Sequence, residues 1–286
     1  MGLVDASGTI VWHDRIRTPT ATEPDALFRV LADLVEIAAG AAAGRGAVVA
    51  CGVGCGGPMS AGGENVSPLN IPAWRGYPLR GRLSNALARH ETTKDVAAAL
   101  RIDNDAKALA LGEGWLGAAK GERNYLAMVV STGIGGGIVV DGRLLDGNSG
   151  NAGHIGHVIV EPEGRKCRCG ARGCLEAEAS GTGIEAATGA PPADASPDVI
   201  ERTGLLVGRA VGSVANLLDL KLAVIGGSVA LGYGMKFFLA AQREVDAVAR
   251  LEHSRGCRVE PVGLGEFAPL IGAAAVGWGS SVRRAP

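Results

Sequence analysis

Apolar and polar residues alternate through GLVDASGTIVWHDRIRTPT on both sides of an Asp-Ala-Ser-Gly turn, which predicts a β-hairpin from Leu3 to Arg17. The period then lengthens. In TEPDALFRVLADLVEIAAGAA, Leu27, Val30, Leu31, Leu34 and Ile37 recur at helical intervals behind a Thr-Glu-Pro-Asp start signal, so a helix follows the hairpin. AVVACGVG reads as a short buried strand, PLRGRLSNALARH as a helix and AKALALGEGWLGAA as another. The order β-β-α-β-α predicts a smaller mixed α/β domain over residues 1–105. A larger α/β domain over 106–268 opens with the strand YLAMVVSTG and continues through GGIVVDGRLL. Beyond the proline-rich surface loop PPADASPD, a long helix from about Glu201 to Leu220 leads into LAVIGGSVA, a strand followed by a glycine turn. PLIGAAAVGWGSSV is small and apolar enough for a buried helix, and residues 269–286 are expected to complete the first domain. No internal repeat is visible.

Composition narrows the class. With 286 residues, 47% of them hydrophobic, the chain can bury a core without disulfide staples. The net charge is −1 with both signs interspersed, which argues against nucleic acid or an anionic membrane as partner. There is no basic, apolar leader pattern and no run of about 18 apolar residues, so a cytoplasmic protein is expected. In that compartment six cysteines point to metal binding or free thiols before disulfides.

The glycines, 45 in all, sit in separate short runs that read as turns and ligand loops. CGVGCGG formally contains G-x-G-x-x-G at Gly52, Gly54 and Gly57. Pro58, Gly62 and Gly63 forbid the helix a dinucleotide fingerprint needs, and no acidic residue stands near Tyr77 to take the ribose. A Walker P-loop is absent. VVSTGIGGGIVV is more informative, because Thr132, Gly133, Gly135, Gly136 and Gly137 offer a hydroxyl and bare backbone amides to phosphate oxygens; an ordinary hairpin turn is the bland alternative. VIGGSVA repeats the design at Gly226 and Gly227. In RIDNDAKALALGE, Asn104 and Asp105 stand at the mouth of a helix, where capping is the ordinary role; Asp103 or Asp105 is equally placed to act as a base for a substrate hydroxyl.

The segment GHIGHVIVEPEGRKCRCGARGCLE carries Cys167, Cys169 and Cys174 with two histidines upstream. Three thiolates and one imidazole are the ligand count of a closed tetrahedral zinc site, and spacing alone leaves His154 and His157 both open as the fourth ligand. Cys51, Cys55 and Cys257 are expected to be buried small residues.

Taken together, STGIGGG, NDAKALALGE and GHIGHVIVEPEGRKCRCGARGCLEAEASG resemble the ROK family of sugar kinases and sugar-responsive repressors, over nearly the whole chain. The resemblance implies two actin-like, ribonuclease H-like α/β domains with a cleft for sugar and ATP, and a homodimer. It implies ATP-dependent phosphorylation of a hexose or N-acetylhexosamine, with Asp105 as general base and Asn104 positioning the sugar. The glycines from Gly133 to Gly137 would attend the phosphates of Mg-ATP, and Gly226 and Gly227 its adenosine. His157 would hold structural zinc with Cys167, Cys169 and Cys174, and His154, His157 and Glu176 would face the sugar. A non-catalytic sugar-binding protein or sugar-responsive regulator is the alternative within the same family.

Two features depart from the family pattern. AGHIGH places His154 where many glucose-using members carry Glu, and instead looks like bacterial N-acetylmannosamine kinases. The family also normally opens with a strand and D-x-G-G-T-K, whereas GLVDASGTIV corresponds to the strand after it. A start codon placed too late is the expectation that follows, with a genuinely truncated, inactive protein as the alternative.

Overall fold

The computed structural model describes residues 1–19, 23–69 and 71–279. Thr22 of the helix start signal, Asn70 and the tail from Ser280 lie outside them. The chain divides into two compact α/β units, one formed by Met1–Trp115, Asp146–Asn151 and Leu264–Pro286, the other by Leu116–Leu145 and Ala152–Gly263.

In the first unit, β1 (Gly2–Val4) and β2 (Ile10–His13) form the antiparallel hairpin expected from the alternation. Helix α1 (Pro24–Ala42) starts with its proline in the first turn, where a missing N–H costs nothing. Its buried face runs through Leu27, Phe28, Leu34, Val35, Ala38 and Ala42, while Ile37 turns outward at 48% exposure. The expected strand over Ala47–Gly54 is realised only as β3 (Gly52–Cys55), which pairs in parallel with β4 (Arg101–Asn104); Val49 is exposed. Between them lies α2 (Leu79–Leu87), and β4 runs directly into α3 (Asp105–Leu116). Helix α8 (Ala268–Trp278) packs on β3 so closely that a Cβ on Gly52 would stand 2.0 Å from the Ala273 carbonyl oxygen. That approach explains a glycine at Gly52 without any dinucleotide, and no helix starts at Gly57.

The second unit is built on a five-stranded sheet of order β7-β6-β5-β8-β9. Its strands are β5 (Tyr125–Val130), β6 (Ile134–Val140), β7 (Arg143–Leu144), β8 (Leu222–Gly226) and β9 (Arg258–Pro261). Strands β5, β8 and β9 are parallel; β6 and β7 continue antiparallel. Strands β5 and β8 are near-continuous apolar runs because both faces are covered. Two short helices, α4 (Leu175–Ala179) and α5 (Gly181–Thr188), precede the long pair α6 (Pro197–Leu218) and α7 (Ser228–Val248). Gly204 and Gly208 let α6 and α7 close to backbone contact: a Cβ on Gly208 would lie 2.3 Å from the Ala241 carbonyl oxygen. No helix among the described residues is long and apolar enough to cross a membrane.

Candidate active site and metal centre

In the first unit the strand-to-helix junction Asp103-Asn104-Asp105 presents two carboxylates in different electrostatic settings. The Asp103 carboxylate is 2.9 Å from the Lys107 ammonium, which also reaches the Asp146 carboxylate at 2.7 Å and donates to the Gly150 carbonyl oxygen at 3.2 Å. Lys107 is fully buried, its side chain 2% exposed; burial lowers its pKa, but the two carboxylates raise it by more, so it stays charged. The Asp103 carboxylate is thus engaged in an ion pair with a buried ammonium. Asp105, one residue past the strand, is exposed and makes no ion pair among the described residues; its Oδ1 accepts the Ala106 N–H at 2.9 Å. The Asn104 Oδ1 accepts the same N–H at 2.9 Å. Both residues thus meet the helix start, as ordinary capping requires.

Lys107 is a residue that sequence reasoning passes over. It ties the 146–151 segment to the junction, and Asn151 fastens the same segment by donating to the Met59 carbonyl oxygen at 3.1 Å. The available signal was one lysine amid the apolar positions of AKALALG.

Cys51 and Cys55 are half-buried rather than buried, and only Cys257 fills a closed core position. Burial, reinforced by the nearby Asp105 carboxylate, pushes the Cys55 thiol up to about 11.

In the second unit the turn after β5 and the turn after β8 are neighbours, since those strands are parallel and adjacent. Ser131 and Ser228 hydroxyls join the two turns at 2.9 Å. Gly227 has φ +98° and a Cβ there would lie 2.3 Å from the Val130 carbonyl oxygen, so only glycine lets the backbone pass between the strand ends. Thr132 is exposed on the first turn, and its carbonyl oxygen accepts from the Thr182 hydroxyl at 2.9 Å. Gly133 alone of the glycine run lies in the turn; Gly135, Gly136 and Gly137 pair with β5 inside β6. A Cβ on Gly136 would press 2.9 Å from Ile155, so bare backbone here admits the segment that carries the histidines.

That segment brings His157, Cys167, Cys169 and Cys174 together, with one ligand atom of each within 4.8 Å of the others. The His157 Nδ1 is 3.7 Å from the Cys167 sulfur and the Cys169 and Cys174 sulfurs are 3.7 Å apart. Ligands at 2.3 Å bonds and tetrahedral angles stand about 3.8 Å from each other, so these two spacings match tetrahedral zinc and the cluster is compatible with a structural zinc ion. Of the two histidines that spacing leaves open, His157 lies in the cluster and exposed His154 stands beside it, ring centroids 6.1 Å apart. The loop is folded by its own backbone: Cys167 N–H donates to the Ala171 carbonyl oxygen at 2.8 Å, and Val160 N–H to that of Gly173 at 2.9 Å. Burial first, and the neighbouring sulfurs next, push the Cys174 thiol up to about 12.

Two glutamates clamp this loop. Glu176 Oε2 accepts the Ile134 N–H at 3.0 Å, coupling the metal loop to the first turn of glycines. Glu178, its side chain 1% exposed, pairs with Arg202 at 2.8 Å and Arg165 at 3.1 Å and accepts the Arg165 N–H. Burial alone would raise its pKa, but that N–H and the two guanidiniums outweigh it and hold the carboxyl below its ordinary value. The stability it contributes is therefore complete above the unfolded value near 4.3 and is lost as pH falls through the lower folded one. Glu178→Gln is expected to cost about 2–3 kcal/mol at neutral pH, less than the ~3–5 kcal/mol for removing a partner from a fully buried pair, because both arginines reach water. Urea unfolding at pH 7 and pH 3 checks this: the difference between the two proteins should shrink in acid.

Two α/β units, one with an Asn-Asp helix start and the other with adjoining glycine turns beside a Cys₃His loop, define the class of actin-like sugar-kinase folds. The ROK family profile matches residues 1–277, and the chain belongs to that family. It is 32% identical over 282 residues to the N-acetylmannosamine kinase of Pasteurella multocida, covering 93% of this chain and 89% of that protein. It is 39% identical over 191 residues to the glucokinase of Thermotoga maritima, a match spanning 64% of this chain and about half, 54%, of that protein. Among solved structures, the ROK hexokinase from Thermus thermophilus superposes with a TM-score of 0.78 at 30% identity, over 99% of this chain and 95% of that one.

Proposed function

We propose that the protein is an ATP-dependent kinase of a hexose or N-acetylhexosamine, with N-acetylmannosamine or glucose as the favoured substrates. The observation that carries this reading is the division of labour at the strand-to-helix junction: Lys107 neutralises Asp103, and Asp105 is left exposed as an uncommitted base. Asp105 takes the proton of the sugar hydroxyl as its oxygen attacks the γ-phosphorus in line; the bond from that phosphorus to the bridging oxygen breaks and ADP leaves. Asn104 orients the sugar. Thr132 and Gly133 offer a hydroxyl and an amide to the phosphates, Gly135 and Gly136 keep the adjoining backbone bare, and Gly226 and Gly227 attend the adenosine. Magnesium accompanies the nucleotide as counter-charge.

His157, Cys167, Cys169 and Cys174 hold a structural zinc. Its contribution is to lock the loop so that His154, His157 and the free oxygen of Glu176 present a fixed pattern to sugar hydroxyls. The relatives' names support the substrate class, and the ligand-atom spacing supports the metal.

The test is ATP-dependent formation of sugar phosphate from a panel that includes N-acetylmannosamine and glucose. Sugar binding without turnover of any of them would transfer the reading to a non-catalytic, sugar-responsive protein.

Substrate choice is assigned to His154. A neutral imidazole offers one donor and one acceptor where a carboxylate accepts from two hydroxyls. His154→Glu is therefore expected to move kcat/KM from N-acetylmannosamine toward glucose by about tenfold to a hundredfold, the range for a polar group left unpaired once bound sugar covers it. An unchanged ratio in a folded variant with intact metal content would show that His154 does not select the sugar.

A further inference from the structure

The Lys107 ammonium has three N–H donors and three acceptors: the Asp103 carboxylate at 2.9 Å, the Asp146 carboxylate at 2.7 Å and the Gly150 carbonyl oxygen at 3.2 Å. Asp103 alone would keep the charge paired. The other two acceptors lie near the two ends of one segment, residues 146–151, so most of this buried group serves to fasten that segment to the first turn of α3.

The segment has no stake in the core. Asp-Gly-Asn-Ser-Gly-Asn carries no apolar side chain, so no hydrophobic burial holds it in place. Its second anchor is Asn151, whose side-chain amide makes both hydrogen bonds of the Met59 peptide, donating to the carbonyl oxygen at 3.1 Å and accepting from the N–H at 3.4 Å. Between the anchors, Asn148 and Ser149 are exposed.

Both anchors stand at one end of a parallel strand pair. Cys55 closes β3 in register with Asn104, which closes β4; Met59 follows the first by four residues and Asp105 follows the second directly. Ligands of α/β folds bind outside the carboxyl ends of such strands. The same Asp103 Oδ1 that meets the ammonium also accepts the Asn104 N–H at 2.8 Å, so Lys107 reaches the junction and the segment together. All of these groups belong to the first unit.

We propose that Lys107 is a positioning residue of the sugar site: it holds residues 146–151 as a fixed polar wall beside Asn104 and Asp105, and it acts on sugar affinity and not on proton transfer. The inference rests on the kinase reading for where the sugar sits, while its test also runs on binding without turnover. A wall already ordered adds nothing to the entropy lost when sugar binds. Released from Lys107, it must be ordered by the sugar itself, and the loss enters the dissociation constant. Asp105 stays in place, so turnover at saturating sugar is kept.

Three variants test this by calorimetric titration and steady-state kinetics with N-acetylmannosamine and glucose. Lys107→Met removes the ammonium but strands the half-buried Asp103 carboxylate. Asp146→Ala and Asn151→Ala each free one anchor without that penalty, since the Asp146 side chain is 71% exposed. Each variant is expected to raise sugar Kd and KM about tenfold, with kcat and the KM for ATP within about threefold of the parent. Combining Asp146→Ala with Asn151→Ala should raise Kd by clearly less than the product of the single effects, because a segment already loose has little left to lose at its second anchor. A merely stabilising contact would lower Tm and leave Kd alone. Unchanged sugar Kd in folded Asp146→Ala and Asn151→Ala would therefore overturn the proposal, whether or not Lys107→Met folds. So would a fall in kcat at constant KM, which would move Lys107 to the chemical step. A parent that binds sugar without turning it over would overturn the kinase reading alone, and a parent that binds neither sugar would overturn both.

Discussion

Asp105→Asn is expected to lower kcat for sugar phosphorylation by about 10²–10⁴, the usual contribution of a positioned general base, with sugar binding retained. Asparagine preserves the shape of the side chain and can still accept the Ala106 N–H through its oxygen, so the helix start persists. What it loses is the capacity to take the hydroxyl proton. The effect therefore belongs in kcat and kcat/KM together and leaves the sugar dissociation constant near that of the parent. Asp103→Asn separates the two carboxylates. Its loss leaves the buried Lys107 ammonium with Asp146 and the Gly150 carbonyl oxygen, so its main effect is on stability and on the order of residues 146–151. Rapid-quench measurement of sugar phosphate with calorimetric sugar titration checks both variants. Turnover in Asp105→Asn within about tenfold of the parent would remove Asp105 as the base.

Much of the fold was legible because its periodicities are local. The hairpin, α1, α2, α3, β5, β6 and α6 all stand where alternation or helical spacing puts them. Helix α7 was not legible: Gly232 and Gly234 interrupt its first turns, and Gly234 adopts φ 59° and ψ −147° within it. Only its packing against α6, through glycines that bring two backbones together, holds it as one element. Strands β4 and β9, four residues each and at least half polar, carry too short a pattern to identify without their parallel partners. Ile37 shows the limit within a strong helix, because several phases of the same apolar stripe fit the sequence and only the packing chooses between them.

At the candidate site the residue types were readable and the pairings were not. Sequence offered Asp103 and Asp105 as equals; a lysine four residues on, buried under an apolar helix, distinguishes them. It offered His154 and His157 as equals; the short turn from Ile155 to His157 carries one imidazole to the sulfurs and leaves the other outside. Glycines that read as phosphate contacts also serve the approach of two backbones, as at Gly136 and Gly227, and a lone sequence has no way to separate those uses.

Cys174→Ser is expected to abolish zinc retention and to unlock the loop from Glu161 to Gly173. Cys174 is fully buried and sits where the loop returns to α4: its residue bridges Ile159, and the following Leu175 N–H donates to the Val158 carbonyl oxygen at 2.9 Å. In the proposed zinc site its sulfur is one of four ligands, so its removal would leave two thiols and an imidazole without a shared cation. Structural zinc in small domains supplies about 10–16 kcal/mol of apparent binding free energy, most of it realised as folding of the surrounding loop. Here the backbone bonds of the loop and the Glu178 clamp share that task, so the second unit should remain folded while the loop opens. The parent is expected to hold about one zinc per chain, and the variant under about a tenth of that, by elemental analysis of protein purified with reduced thiols and no chelator. Limited proteolysis should cut the variant within the loop at rates at least about tenfold above the parent, and addition of a strong chelator should bring the parent to the same pattern. Sugar affinity should fall in step, because His157 and Glu176 lose their fixed positions together. A zinc-free parent whose loop resists proteolysis with all three thiols reduced would show that backbone and carboxylate contacts alone hold this loop, and that the cysteines serve no metal.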